Sequence, residues 1–289
     1  MGYGSWNTTA YCNYSSSVGR TLDFDTGRVD NVNTFVSKKI NEGLDPRNFD
    51  IRECVNSDEH PNTIPVILAL DVTGSMGRAC EETAQALGVI VNGLFDKIKD
   101  VEFCIMGIGD IECDSAPIQM SQFESDVRIA KSIDDIYREG GGGGNGYESY
   151  SAAWYMGLKR TKLDCYDKQN RKGIIITMGD EPLNPFLDKR NLNAFINGSE
   201  ETEIDTNELY QAASEKFDIY HIAINDSHSS YNFYKSRIEK SFKPLLKERY
   251  RVSTINDLAQ TIEQCILDSV GYIEESSSTQ VNENGEITW

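Results

Sequence analysis

From residue 64 onward two hydrophobic patterns take turns along the chain. Short apolar runs recur at Ile64 to Leu70, Val101 to Ile108, Ile118 to Phe123, Gly173 to Met178, Phe217 to Ile224 and Tyr250 to Ser253. Their brevity and apolar content mark them as strands buried within a sheet. The stretches between them carry helical spacing. Ala84, Leu87, Val91, Leu94 and Ile98 fall on one helical face, and Glu148 to Arg160 and Asp257 to Val270 read as further helices. Strands that alternate with helices predict an α/β fold in which a mostly parallel sheet is covered by helices on both faces. Residues 1–60 differ, being rich in Tyr, Asn, Ser, Asp and Gly, with one periodic stretch near Val32 to Ile40 that predicts a short helix. They are expected to form an irregular arm packed on a main domain of residues 61–272. Residues 273–289 make a polar tail poor in aliphatic side chains, for which disorder or an exposed extension is expected.

The first apolar run ends in chemistry. Residues 66–76 read Val-Ile-Leu-Ala-Leu-Asp-Val-Thr-Gly-Ser-Met, so Asp71, Thr73 and Ser75 carry oxygen atoms at every second position of the loop after the strand. Alternate residues there can aim at one point, and an oxygen set with few carboxylates suits Mg2+. In an open parallel sheet, ligands collect beyond the carboxyl ends of the strands. Two further loops reach that end: Glu139 to Ser149, reading EGGGGGNGYES, and the segment Thr177-Met178-Gly179-Asp180-Glu181, where Asp180 follows its strand. The alternative for Asp71-Val-Thr-Gly-Ser is a helix N-cap with a turn glycine, because Asp, Thr and Ser all cap helices.

Charge narrows the partners. The 289 residues, 39% of them hydrophobic, suffice for one large α/β domain or two small ones, and 46 acidic against 28 basic side chains give a formal charge of −18. That field opposes nucleic acid and anionic membranes and favours cations or basic partners. Seven cysteines are scattered without CxxC spacing, which indicates neither a disulfide framework nor a zinc site and fits a reducing compartment. No basic-then-apolar leader opens the chain and no apolar run approaches the ~18 residues of a membrane span, so a cytoplasmic protein is expected. The three histidines, His60, His221 and His228, form no catalytic constellation, and Cys113 sits beside acids that disfavour its thiolate.

On these motifs the chain resembles the von Willebrand factor A (vWA) family, whose hallmark is a metal-ion-dependent adhesion site. The family's D-x-S/T-x-S motif is matched by Asp71, Thr73 and Ser75, and its final Asp by Asp180, although the usual T-D-G arrangement is replaced by Gly179-Asp180-Glu181. Where the family carries Gly-Gly-Thr-Asn, this chain has Gly142-Gly143-Gly144-Asn145, with Asn145, Glu148 or Ser149 as substitutes for the missing threonine ligand. The likeness spans about residues 62–270 and is nearest to bacterial and phage intracellular versions. It implies a Rossmann-like sheet with one antiparallel edge strand. It also implies Mg2+ or Mn2+ held by Thr73 and Ser75, with Asp71 and Asp180 bound directly or through water. The implied function is non-enzymatic: the metal captures an Asp or Glu of a protein partner. The family also implies work beside an AAA+ ATPase or in a stress or phage-conflict system.

Other chemistries compete. Asp-x-Thr-Gly-Ser is also similar to the nucleophile loop of haloacid dehalogenase-type Mg2+-dependent phosphotransferases. In that case Asp71 attacks phosphorus, Thr73 and Ser75 hold phosphate, Lys172 neutralises charge and Asp180 binds metal. The expected G-D-x-x-x-D pattern is missing after Gly179-Asp180, where the next Asp is Asp188, and is found too early at Gly109-Asp110 to Asp114. The run Gly140 to Gly144 reads as a metal-facing loop, a phosphate cradle lacking its Gly-Lys-Ser/Thr ending, or a linker. Asp110, Glu112 and Asp114 make either a solvated acidic rim or a second cation site. Lys240, Lys243, Lys247, Arg249 and Arg251 form either a solvated face or a dock for an acidic partner.

Overall fold

Along the strand Ile64–Asp71 successive side chains leave on opposite faces. Val66, Leu68 and Leu70 enter one hydrophobic cluster while Ile67 and Ala69 enter the other, so both faces of the strand are buried. The computed structural model describes residues 4–30, 34–35, 37–74, 76–95, 97–139, 145–227 and 229–271. Its central sheet has six strands: β1 Ile64–Asp71, β2 Val101–Ile108, β3 Ile118–Met120, β4 Gly173–Gly179, β5 Phe217–Ile224 and β6 Tyr250–Ser253. They lie in the order β6-β5-β4-β1-β2-β3, all parallel except β3, which pairs antiparallel with β2 at the edge. Read from the other edge, this is the doubly wound order of Rossmann-like sheets, with the reversal between β1 and β4.

The helices are α1 Thr8–Ser17, α2 Gly77–Phe95, α3 Arg128–Asp134, α4 Ser151–Arg160, α5 Asp164–Asp167, α6 Lys189–Ile196, α7 Thr206–Lys216, α8 Tyr231–Leu246 and α9 Leu258–Val270. Tyr11 of α1, Leu87 of α2, Ile133 of α3 and Ile262 of α9 share one cluster, whereas Trp154 of α4, Leu192 of α6, Ala213 of α7 and Phe242 of α8 share the other. The sheet is therefore covered on both faces. Among the described residues no helix is long and apolar enough to cross a membrane.

Three local departures from the sequence pattern have physical causes. The run from Ile118 leaves the ladder at Met120, because the Ser121 hydroxyl accepts the Ile105 N–H at 2.8 Å and pairing resumes only as a Phe103–Glu124 bridge. One extra residue on that side makes a bulge. The helix expected from Glu148 starts at Ser151, since the Glu148 backbone is tied to the segment after β4: its N–H donates to Pro182 O at 3.1 Å and its carbonyl accepts from Asn184 N at 3.2 Å. The arm of residues 1–60 carries helix α1 and three short strands, Leu22–Asp23, Arg28–Val29 and Arg52–Cys54, rather than irregular chain alone. Residues 34–35 and 37–40, within the expected short helix, are not helical. Residues 272–289, including the whole polar tail, lie outside the described residues.

One buried cation braces the face under α4. The Lys216 ammonium at the end of α7 donates to the carbonyls of Thr161, Gly157 and Leu158 at 2.7, 3.3 and 3.5 Å, satisfying the C-terminal end of α4. Burial pushes its pKa down. Lys216→Ala removes these bonds, leaving Gly157 O with the Thr161 hydroxyl alone, and should cost about 1–3 kcal/mol, read from urea unfolding.

Candidate functional site

β1 and β4 are neighbours in the sheet, and their connections leave in opposite directions; the ends of such a pair are where doubly wound sheets bind ligands. Asp71 is the last residue of β1 and Asp180 the first after β4, with exposures of 1% and 0%. The Asp71 carboxylate is held on both oxygens. Its Oδ1 accepts from Thr73 N at 3.0 Å and Thr73 Oγ1 at 2.6 Å, and its Oδ2 accepts from the Tyr150 hydroxyl at 2.8 Å. These bonds close an Asx turn on the loop itself, rather than capping α2. Because the Thr73 hydroxyl spends its hydrogen on Asp71, its lone pairs remain for a ligand. Asp180 Oδ2 accepts from Ser230 N at 2.5 Å, at the amino end of α8, where the helix field favours a carboxylate.

Further acids converge on this pair. Glu148 is 1% exposed and its Oε2 has no hydrogen-bond partner among the described residues; Asp110, at 2%, has an Oδ2 in the same condition. Burial, and next the charge of Asp180, push the Asp71 carboxyl up to about 8, against the pull of its Thr73 and Tyr150 hydrogen bonds. Glu148 is held well above the usual carboxylate range by burial and then by Asp71, Glu181, Asp114 and Asp110. Glu181 is raised to about 7 by burial, then by Asp180 and Asp110, with Arg237 opposing. Burial and the same carboxylates raise Tyr150, which keeps its phenol proton and donates it. Among the described residues no three His, Cys, Asp or Glu side chains converge closely enough to hold an ion by themselves.

The structure thus gathers Asp71, Thr73, Glu148 and Asp180. It leaves Asn145 apart: this residue is exposed, its Oδ1 accepts from Tyr147 N at 2.9 Å and its amide reaches Glu112 at 3.4 Å. The Ser149 hydroxyl is taken by Ile111 N at 3.0 Å. Ser75 and Gly140 to Gly144 lie outside the described residues. Asp110 is no solvated rim, since it is buried and faces Glu148, whereas Glu112 is exposed. Tyr150 joins the site without any signal in the sequence, its hydroxyl lying between Asp71 and the Glu181 N–H.

No family model matches the chain, and no curated protein matches it. Among solved structures, it is similar to the pilus adhesin SpaC from Lactobacillus rhamnosus GG in its open conformation, at 11% identity and TM-score 0.49, over 74% of this chain and 31% of that one. It is also similar to the vWF domain of the type V pili tip protein Mfa5 from Porphyromonas gingivalis, at 12% identity and TM-score 0.48, over 74% of this chain and 97% of that one. Proximal thread matrix protein 1 from the mussel byssus aligns at 10% identity and TM-score 0.46, over 72% of this chain and 48% of that one. The chain spans less than a third of the length of SpaC.

The remaining candidates lie elsewhere. Lys172 immediately precedes β4, at its amino end, where its ammonium donates to Ser214 O at 2.7 Å and lies 3.9 Å from Asp218. His221 is a core residue: its ring stacks on Phe242 at 3.7 Å, its Nδ1 is 2.9 Å from Thr177 Oγ1, and burial depresses its pKa to about 3. His60 sits 3.1 Å from Asp100 near the opposite end of the sheet. His228 lies outside the described residues.

Proposed function

We propose that this chain is a non-enzymatic recognition module that binds Mg2+ (or Mn2+) through Asp71, Thr73 and Asp180 and captures an acidic side chain of a partner protein. The observation that carries this reading is the burial of Asp71 beside Asp180 at the β1–β4 reversal, with Glu148 adding an unpartnered oxygen. Like charges packed away from water need a proton or a cation. A divalent ion with few direct carboxylates supplies that charge and keeps a coordination position for an incoming Asp or Glu. The chain's residues prepare for it: Thr73 and Tyr150 fix both Asp71 oxygens, Ser230 N fixes Asp180, and Glu148 takes the place left by the threonine absent at Gly144. This is the site that the vWA resemblance implies. An AAA+ ATPase is the partner class that the same resemblance points to, in a cytoplasmic setting.

The phosphotransferase alternative needs a lysine beside Asp71. β4 separates Lys172 from Asp180 by a full strand, roughly 25 Å at about 3.3 Å per residue. Calorimetry tests the proposal: one Mg2+ or Mn2+ per chain is expected, with the heat abolished by Asp71→Ala, and a partner pulldown that fails in EDTA or with Asp180→Ala. An unchanged metal response in Asp71→Ala rejects the site. Metal-dependent phosphate release lost in Asp71→Asn would favour the enzyme instead.

A further inference from the structure

Directly after Glu181 the chain builds a cleft. The segment Pro182 to Pro185 forms one wall, fixed on one side by the Glu148 backbone and on the other by the Ser241 hydroxyl, which accepts the Leu183 N–H at 3.1 Å. Arg237 and Lys240 of α8 line the facing wall, and the cleft holds about 400 Å3. These two cations are three positions apart on the helix, so they share a face. Both are exposed, and among the described residues neither makes an ion pair with a carboxylate. Arg237 is held by the Gly146 carbonyl at 3.1 Å and by the rings of Tyr147 and Tyr234, with its guanidinium 4.7 and 5.1 Å from their centroids. In a chain of net charge −18, two cations that make no carboxylate ion pair, Arg237 feeling only the nearby charge of Glu181, are a complement for an anion in a cleft beside the carboxylate site.

We infer that this cleft seats an extended acidic segment of the partner protein, one carboxylate at the Asp71–Asp180 site and a second between Arg237 and Lys240. The inference rests on the metal-dependent reading of that site and adds the chemistry and spacing of what binds there. The spacing follows from α8. Its amino end holds Asp180 through Ser230, so at about 1.5 Å per residue Arg237 and Lys240 lie roughly 10 and 15 Å along the helix. An extended chain covers that span in about three to five residues at ~3.3 Å each. The two acids of the ligand therefore stand about three to five positions apart.

The test is selection of a phage-displayed random peptide library on the full chain in Mg2+, followed by fluorescence anisotropy with a synthetic selected peptide. Enriched peptides are expected to share two acids at that spacing. Lys240→Gln with Arg237→Gln should weaken the two-acid peptide about tenfold or more, and leave its version with the second acid changed to Gln unaffected. EDTA should weaken both peptides. Two-acid binding that depends on Lys240 and Arg237 but ignores EDTA and Asp71→Ala supports the cleft and rejects the metal reading. Metal-dependent peptides with one acid, or with no response to the double substitution, overturn the cleft assignment, as does a selection that enriches no peptide.

Discussion

Asp71→Asn should make the metal-free protein more stable near pH 8, although it alters a buried residue that forms three hydrogen bonds. The Asp71 carboxyl is buried beside Asp180 and carries a folded-state pKa of about 8 against the ordinary 3.8. A carboxyl whose pKa is raised on folding contributes its full stability below the unfolded value. It loses that contribution as the pH climbs from about 4 through about 8, because folding must then hold an unfavourable charge. Asn has the same shape, keeps an oxygen for Thr73 and never ionises, so the variant escapes that loss. The expected gain is about 1–3 kcal/mol at pH 8 in EDTA, vanishing near pH 4. His221 pulls the other way, since its depressed pKa costs stability as the pH falls below about 6.5. That contribution is common to both proteins and cancels in their difference. Mg2+ reverses the ranking: at a hundred times its dissociation constant it should add about 2.7 kcal/mol to the wild type and nothing to Asp71→Asn. Urea unfolding at two pH values, with and without Mg2+, reads all of this. A variant less stable than wild type at pH 8 in EDTA, or one that still responds to Mg2+, would show that Asp71 is not the strained carboxylate of a cation site.

The sheet was legible chiefly through its inner strands, which are buried on both faces and leave unbroken apolar runs, whereas the edge strand β6 is partly exposed. β2, β5 and β6 coincide with the runs Val101 to Ile108, Phe217 to Ile224 and Tyr250 to Ser253. Helix α1 was not legible. Thr-Thr-Ala-Tyr-Cys-Asn-Tyr-Ser-Ser-Ser has low intrinsic helix preference, and the helix is held from outside, by the buried Tyr11 and by Tyr14, whose hydroxyl donates to Asp134 at 2.6 Å. The site divides in the same way. Asp71, Thr73 and Asp180 could be placed because each follows a readable strand. Glu148 stood among several substitutes, and the backbone pairing that turns it inward involves residues after β4. Asn145 stands apart because spacing within a glycine run does not fix which side chain faces the site. Tyr150 was invisible, since its bond to Asp71 crosses 79 positions.

That bond also explains why the residue before Asp180 is glycine, and Gly179→Ala should be among the most damaging small substitutions in the chain. A Cβ at 179 would sit 1.8 Å from the Tyr150 hydroxyl, 2.3 Å from Cζ and 2.5 Å from Cε1. Tyr150 is fully buried and cannot easily retreat, because His221 and Phe242 stand behind its ring at centroid distances of 5.0 and 5.7 Å. Its hydroxyl fills the space that a side chain at 179 would take, and from there it reaches Asp71. Gly179→Ala should therefore cost about 3 kcal/mol or more. It should also push the hydroxyl off Asp71 and lower Mg2+ affinity about tenfold. Tyr150→Ala separates the two effects. Alone it loses a buried ring, at about 3–5 kcal/mol. Combined with Gly179→Ala it gives the new methyl room, so the double variant should cost clearly less than the sum of the two single changes. Metal affinity should stay low in the double variant, since the hydroxyl that holds Asp71 Oδ2 is gone. Urea unfolding of the four proteins and calorimetric Mg2+ titration decide the matter: strict additivity, or a Gly179→Ala protein within about 0.5 kcal/mol of wild type, would mean that Tyr150 is not wedged between β4 and Asp71.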